Sequence, residues 1–144
     1  MGLLRIASVP AATVLPRASV LDAVRVMNEK RVGAVAVAEN DKLVGIFTER
    51  DLMNRVVLEG RDAKTTPVSE VMTPEPTVAH RGMSYGEALR VMVEHHFRHL
   101  PVVDSEARVE GMLSVRHLLQ HAVNDLSDQL DSVVNFFTAD GPGG

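Results

Sequence analysis

A fold for this chain has to house the same turn twice. Gly45-Ile46-Phe47-Thr48-Glu49-Arg50-Asp51 returns 66 positions later as Gly111-Met112-Leu113-Ser114-Val115-Arg116-His117. In each copy a glycine and two apolar residues close a strand, a hydroxyl residue ends it, and a helical pattern begins. The surroundings repeat as well. Ala23-Val24-Arg25-Val26-Met27 sits over Ala88-Leu89-Arg90-Val91-Met92 at an offset of 65, which reads as one residue inserted before the middle strand. The turns differ where chemistry is concerned: Asp51 faces His117.

The first unit opens with Thr13-Val14 as a short extended segment closed by Pro16. Ser19 then caps a helix with Val20, Leu21, Val24 and Met27 on one face. Val32 to Val37 is small and β-branched, as a buried strand is, and Asn40-Asp41 turns the chain into the returning strand, Leu43 to Phe47. A helix from Asp51 to Leu58 is ended by Gly60. The second unit repeats the order with Thr77-Val78, a helix capped by Ser84, the strands His99 to Val103 and Val109 to Leu113, and a helix from Ser114 to about Val123. The threonine- and proline-rich stretch between them reads as a connector, with Val68 to Met72 a possible helical turn.

Within 144 residues, each unit is too small to bury a good core alone. Two packed across a pseudo-twofold axis solve that problem and leave two clefts between them. The expected fold class is therefore α/β: two βαββα repeats, each a small mixed sheet with two helices. Residues 1–60 form the first repeat, 61–76 the connector and 77–123 the second repeat. Residues 124–144 form a C-terminal helix, apolar at Leu126, Leu130, Val133, Val134 and Phe137, before a frayed Gly141-Pro-Gly-Gly end.

Composition narrows the function classes. The chain holds no cysteine, so disulfides and thiolate metal sites are excluded. A formal charge of -4 without a basic run argues against nucleic acid as a partner. No stretch reaches the roughly 20 apolar residues of a membrane span, and the first ten residues lack a secretory apolar core. Met1-Gly2 is followed by Ile6 where a myristoylation signal has serine or threonine. The expected compartment is the cytoplasm.

Thr48 and Asp51 carry two readings. One is a capping box, the hydroxyl accepting from the first helical turn and the carboxylate reaching back; Ser19-Asp22 and Ser84-Glu87 share the spacing. The other adds a ligand: helix N-terminal N–H groups suit a phosphate, and a carboxylate at the lip can accept from a ribose diol.

In these residues the chain resembles the tandem cystathionine-β-synthase (CBS) domain family, or Bateman modules, over roughly residues 5 to 123. Gly45-Ile-Phe-Thr-Glu-Arg-Asp51 looks like the family's ribose-phosphate turn, Arg98-His-Leu-Pro-Val-Val-Asp104 like its second-strand motif, and Glu70-Val-Met-Thr-Pro74 like its connector. The resemblance implies a non-catalytic regulatory module that binds AMP, ADP, ATP or S-adenosylmethionine between its repeats. It implies Asp51 on the ribose hydroxyls, Thr48 near ribose or phosphate, and the main chain of Val32, Gly33 and Ala34 on the adenine edge. Thr13 and Val14 would line the same pocket, with Arg98, beside His99, meeting the phosphates. Arg50 reads as a solvated residue within reach of a phosphate. Repeat symmetry replaces Asp51 by His117, and Arg98 and His99 by Val32 and Gly33, so one competent site is expected. A homodimer and an unnamed regulated protein are the expected partners.

The rival from another class is a dimerising interaction scaffold that needs no small molecule. His95, His96 and His99 cluster, and His117 and His121 share a helix face, but no His-Glu-x-x-His pattern accompanies them, so cleft lining is preferred to a metal site. Ser19, Ser84 and Ser114 stand at helix starts, where capping explains them without a nucleophile.

Overall fold

A computed structural model describes residues 2–139, with side chains through Phe137, so the Gly141-Pro-Gly-Gly end lies outside the described residues. The first repeat contains β1 (Thr13–Val14), α1 (Val20–Lys30), β2 (Ala34–Glu39), β3 (Lys42–Thr48) and α2, which begins as an α-turn at Glu49–Asp51 and continues as a π-helix through Leu52–Val57. After β4 (Thr73–Pro74) in the connector come β5 (Ala79–His80), α3 (Tyr85–His95), β6 (His99–Val103), β7 (Val109–Ser114) and α4 (Val115–Ala139). No described helix is long and apolar enough to cross a membrane.

The two repeats are built alike from local signals. Ser19 and Ser84 accept from the backbone N–H groups of Asp22 and Glu87, each at 3.1 Å, opening α1 and α3. Both helices stop at a left-handed residue, Arg31 (φ 55°) and His96 (φ 59°), which swings the chain into the next strand. Val20, Ala23 and Met27 bury the inner face of α1, as Ala88 and Met92 do for α3. Around Phe47, Val35 and Val37 the first core closes; around Leu100, Leu113 and Leu118 the second does. Each fully buried aliphatic or aromatic side chain contributes about 1.5–3 kcal/mol of burial.

The sheets are mixed. β1 runs parallel to β2, β2 antiparallel to β3, and β3 antiparallel to β4; β5 is parallel to β6 and β6 antiparallel to β7. The register relocates the extra residue of the second repeat. Ala34 faces Thr48 and His99 faces Ser114, so the middle strands keep the helix offset of 65 and the insertion falls in the β6–β7 turn, not before the middle strand. Matching bonds agree, Glu49 N–H to the Gly33 carbonyl (3.0 Å) and Val115 N–H to the Arg98 carbonyl (2.9 Å). Gly33 is therefore the counterpart of Arg98, and Ala34 that of His99. β5 also lies two residues beyond the expected Thr77-Val78.

The segments that precede each repeat cross over. Leu3, in a 3-10 turn at Leu3–Arg5, is buried in the second core, and Ser8 bridges Met112 of β7. Val68 and Val71, at the connector's 3-10 turn (Val68–Glu70), are buried in the first core, and β4 pairs with β3. A third cluster, Ala34, Ala36, Ile46 and Met112, joins the sheets near the axis. The β3 and β7 hairpin ends are tied there by Leu43 N–H to the Ala107 carbonyl and Val109 N–H to the Asp41 carbonyl, each 3.0 Å. The expected boundary at Val123 does not interrupt the last helix, because no glycine, proline or cap stands near it; α4 runs unbroken through the tail.

Candidate ligand clefts

The end of β3 delivers Thr48 and Asp51 to the lip of a cleft of about 360 Å³. The capping box is complete: Asp51 N–H donates to Thr48 Oγ1 at 3.2 Å, while Asp51 Oδ2 accepts from Thr48 N–H at 3.0 Å and from its hydroxyl at 3.2 Å. Asp51 is 8% exposed. Its other oxygen, Oδ1, has only long contacts, 3.5 Å to the Thr73 hydroxyl and 3.6 Å to Arg55 Nε. Oδ2 is committed to the helix cap, and Oδ1 keeps acceptor capacity toward the cleft. Arg55 also donates to the Met72 carbonyl at 2.7 Å, tying the connector to α2.

The facing wall comes from the second repeat: Pro76 and Thr77 ahead of β5, and the turn from His95 through His99 into β6. Arg50, Arg98 and His99 reach this cleft, and so does Gly33. Thr13, Val14, Val32 and Ala34 do not line it. β1 and the start of β2 belong to the same repeat as Asp51, and the packing across the pseudo-twofold axis sets the other repeat's equivalents against it. Ala34 is buried in the axial cluster, and Val32 lines the second cleft. Among the lining residues missed were the polar Thr73, Thr77 and Arg55. Only the strand register, once known, identifies Thr77 as part of the approach to β5.

The second cleft, about 1010 Å³, lies between Ser114–Gln120 of β7 and α4 on one side and Asn28–Gly33 on the other, with Ser8 at one edge. Ser114 accepts from His117 N–H at 3.1 Å, half of a capping box. The imidazole does not reach back as Asp51 does, and His117 Nδ1 is buried with no hydrogen-bond partner among the described residues. Arg98 and His99 line this cleft too, beside Arg31 and Arg116, so it does not lack the cations that repeat symmetry denied it. Arg31, which the sequence reading did not single out, ends α1 where His96 ends α3.

His99 stands between the clefts. A Cβ at Gly33 would lie 3.0 Å from its Cε1 and 3.3 Å from Glu49 Oε1, so the ring needs the bare backbone there. Burial, then His117 and Arg98, push the His99 pKa down to about 4. Burial, followed by Arg116, also lowers His117. Both rings are neutral at pH 7. Among the other histidines, His95 stacks on Phe97 with centroids 5.4 Å apart, and His121 meets Tyr85 edge-on at 4.7 Å. No group of three or more acidic or histidine side chains among the described residues is placed to hold a metal ion.

Comparison with known proteins adds independent findings. The family model for the CBS domain matches residues 5–58 and 68–124. The CBS domain-containing protein YhcV of Bacillus subtilis (strain 168) is 38% identical over 118 residues, 82% of this chain and 81% of that protein. In some longer plant relatives the match spans only 19% of the protein. A CBS-domain protein from Burkholderia ambifaria MC40-6 superposes with a TM-score of 0.80 at 34% identity, over 87% of this chain and 96% of the other. The protein CBSX2, solved in complex with AMP, superposes with a TM-score of 0.72 at 26% identity, over 85% and 96% of the two chains.

Proposed function

The chain belongs to the CBS domain family as a tandem pair of repeats, and on that premise we propose that it is a regulatory module whose effector, an adenosine-containing molecule such as AMP, ADP, ATP or S-adenosylmethionine, binds at Asp51. One observation carries the reading. Asp51, nearly buried at a helix N-terminus with Oδ1 held only by long contacts to Thr73 and Arg55, shares a 360 Å³ cleft with Arg98 from the other repeat. That volume lies within the range of about 300–1,000 Å³ for small-molecule sites. AMP in the related CBSX2 supports the ligand class.

In this reading Asp51 Oδ1 accepts from the ribose diol, and Arg98, with Arg50, meets the phosphate as a planar donor. The wall from Thr77 to His99 takes the base, in place of Val32 to Ala34. Asp51 supplies the diol acceptor here, whereas His117 stands at the equivalent place in the other cleft; on this reading the chain has one adenosine site. The ligand would join the repeats, and it becomes a signal to the extent that it favours one arrangement of them over another.

Calorimetric titration with each of the four ligands tests this, on the protein and on Asp51→Asn and Arg98→Ala. Saturable binding near one site per chain is expected, weakened in both variants, and in Arg98→Ala most for the phosphorylated ligands. Two equal sites refute the single-site reading. No binding by any of them refutes the sensor and leaves the ligand-independent scaffold.

A further inference from the structure

The larger cleft is cationic at one end and apolar at the other. Arg31 closes α1 two residues before Gly33, where a Cβ would lie 3.0 Å from the His99 ring, and His99 faces Ser114, two residues before Arg116. With Arg98 beside His99, three guanidinium groups belong to that end. From there both bounding helices lead into apolar lining, Met27 and Val24 along α1 and Leu119 and Val123 along α4. Val24 and Val123 each lie about 10 Å along the helix from their arginine, at 1.5 Å per residue.

The cations are left free. Arg17, Arg25, Arg55, Arg61, Arg81 and Arg108 each pair with a carboxylate, but Arg31, Arg98 and Arg116 make no ion pair or side-chain hydrogen bond among the described residues. Glu49 is the one carboxylate in the lining, so a formal surplus of two positive charges remains, and His117 stands where Asp51 brings a carboxylate to the smaller cleft.

We propose that the larger cleft binds a phosphate monoester with an apolar body, its phosphate among Arg31, Arg98 and Arg116 and its body between α1 and α4. Such a phosphate carries a charge of about -1.5 to -2 at pH 7, which matches the surplus, and its oxygens accept paired bonds from planar guanidinium groups. The far end adds affinity by taking hydrocarbon out of water. A cleft of about 1010 Å³ has room for both parts. This ligand needs no carboxylate for a ribose diol, and the site stands whether or not Asp51 holds a nucleotide.

Calorimetric titration of the full chain with octyl phosphate, kept below its micelle concentration, tests the site. Inorganic phosphate lacks the body and octanol lacks the charge; octyl phosphate should saturate near one per chain, with each of the others about tenfold weaker or more. Arg31→Gly/Arg116→Gln removes cations that line this cleft and not the smaller one, and should weaken octyl phosphate about tenfold or more. Glycine readily adopts the φ of 55° at position 31, and circular dichroism on heating verifies that the variants fold. Arg90→Gln, at an exposed arginine that lines neither cleft, should leave binding unchanged. Val24→Thr/Leu119→Gln should weaken octyl phosphate and not inorganic phosphate. No saturable binding of octyl phosphate, equal affinity for inorganic phosphate or octanol, affinity unmoved in Arg31→Gly/Arg116→Gln, or an equal loss in Arg90→Gln would each overturn the proposal.

Discussion

Gly45 and Gly111 occupy the same place in the two repeats, yet the surroundings predict different responses to a single methyl group. A Cβ on Gly45 would lie 2.4 Å from Met72 Sδ and 2.9 Å from the Thr73 carbonyl oxygen. Met72 can swing away, but the carbonyl belongs to β4, which is hydrogen-bonded across from Gly45, so relief means moving the connector. At Gly111 the nearest atoms are the Ser8 carbonyl oxygen at 3.0 Å and Val9 Cγ2 at 3.1 Å, a shift of a few tenths of an ångström. Alanine in a strand gains about 0.5–1 kcal/mol over glycine, whereas overpacking costs about 1–3 kcal/mol. Gly45→Ala should therefore lose about 1–2 kcal/mol net, a fall of a few degrees in Tm for a chain of this size, while Gly111→Ala stays within about 0.5 kcal/mol of wild type. Urea denaturation of both variants, with the slope m unchanged, reads the difference. Equal losses, or a larger loss at Gly111, would refute the argument from close approach.

Other predictions concern the site. His99 has a folded pKa of about 4, below the unfolded 6.5, so the unfolded chain binds more protons between those values. Stability should then be full above pH 6.5 and fall as pH drops toward 4, by about 2–3 kcal/mol for this group. His99→Gln should flatten that part of the profile, and an unchanged slope in urea titrations at pH 7 and 4.5 counts against the buried neutral ring. Thr48→Ala removes the hydroxyl that accepts from Asp51 N–H and should cost about 1 kcal/mol in the same assay, with no loss at all contradicting the cap. Arg55→Ala frees the Met72 carbonyl and should speed limited proteolysis within residues 61–76; an unaltered rate would mean that the β4 pairing and the burial of Val68 and Val71 hold the connector without it.

The repeats, their caps and the hairpins were legible because each is a local pattern: Ser19 with Asp22, Ser84 with Glu87, Thr48 with Asp51. What the sequence hid was juxtaposition across the axis. The resemblance implied Thr13 and Val14 beside Asp51, but Thr77 and the 95–99 turn line that cleft instead. The position of the inserted residue was hidden for a related reason. Offsets of 65 and 66 bracket it, and only the pairing of His99 with Ser114 places it in the β6–β7 turn. Leu3 in the second core and Val68 in the first were also out of reach, because a short apolar run does not say which core it enters.

Because α4 is one uninterrupted rod, its two ends report on each other. Its first turns, with His117 and Gln120, form a wall of the larger cleft, and its 25 residues span about 37 Å from end to end. A tilt of about 5° at the cleft would carry the far end roughly 3 Å, a lever ratio fixed by the 1.5 Å rise per residue. The chain contains no cysteine, so a single one introduced near the tip would be the only thiol for a probe. The helix is then a built-in gauge, on which an ångström-scale change in the cleft is read at a distance as a displacement several times larger.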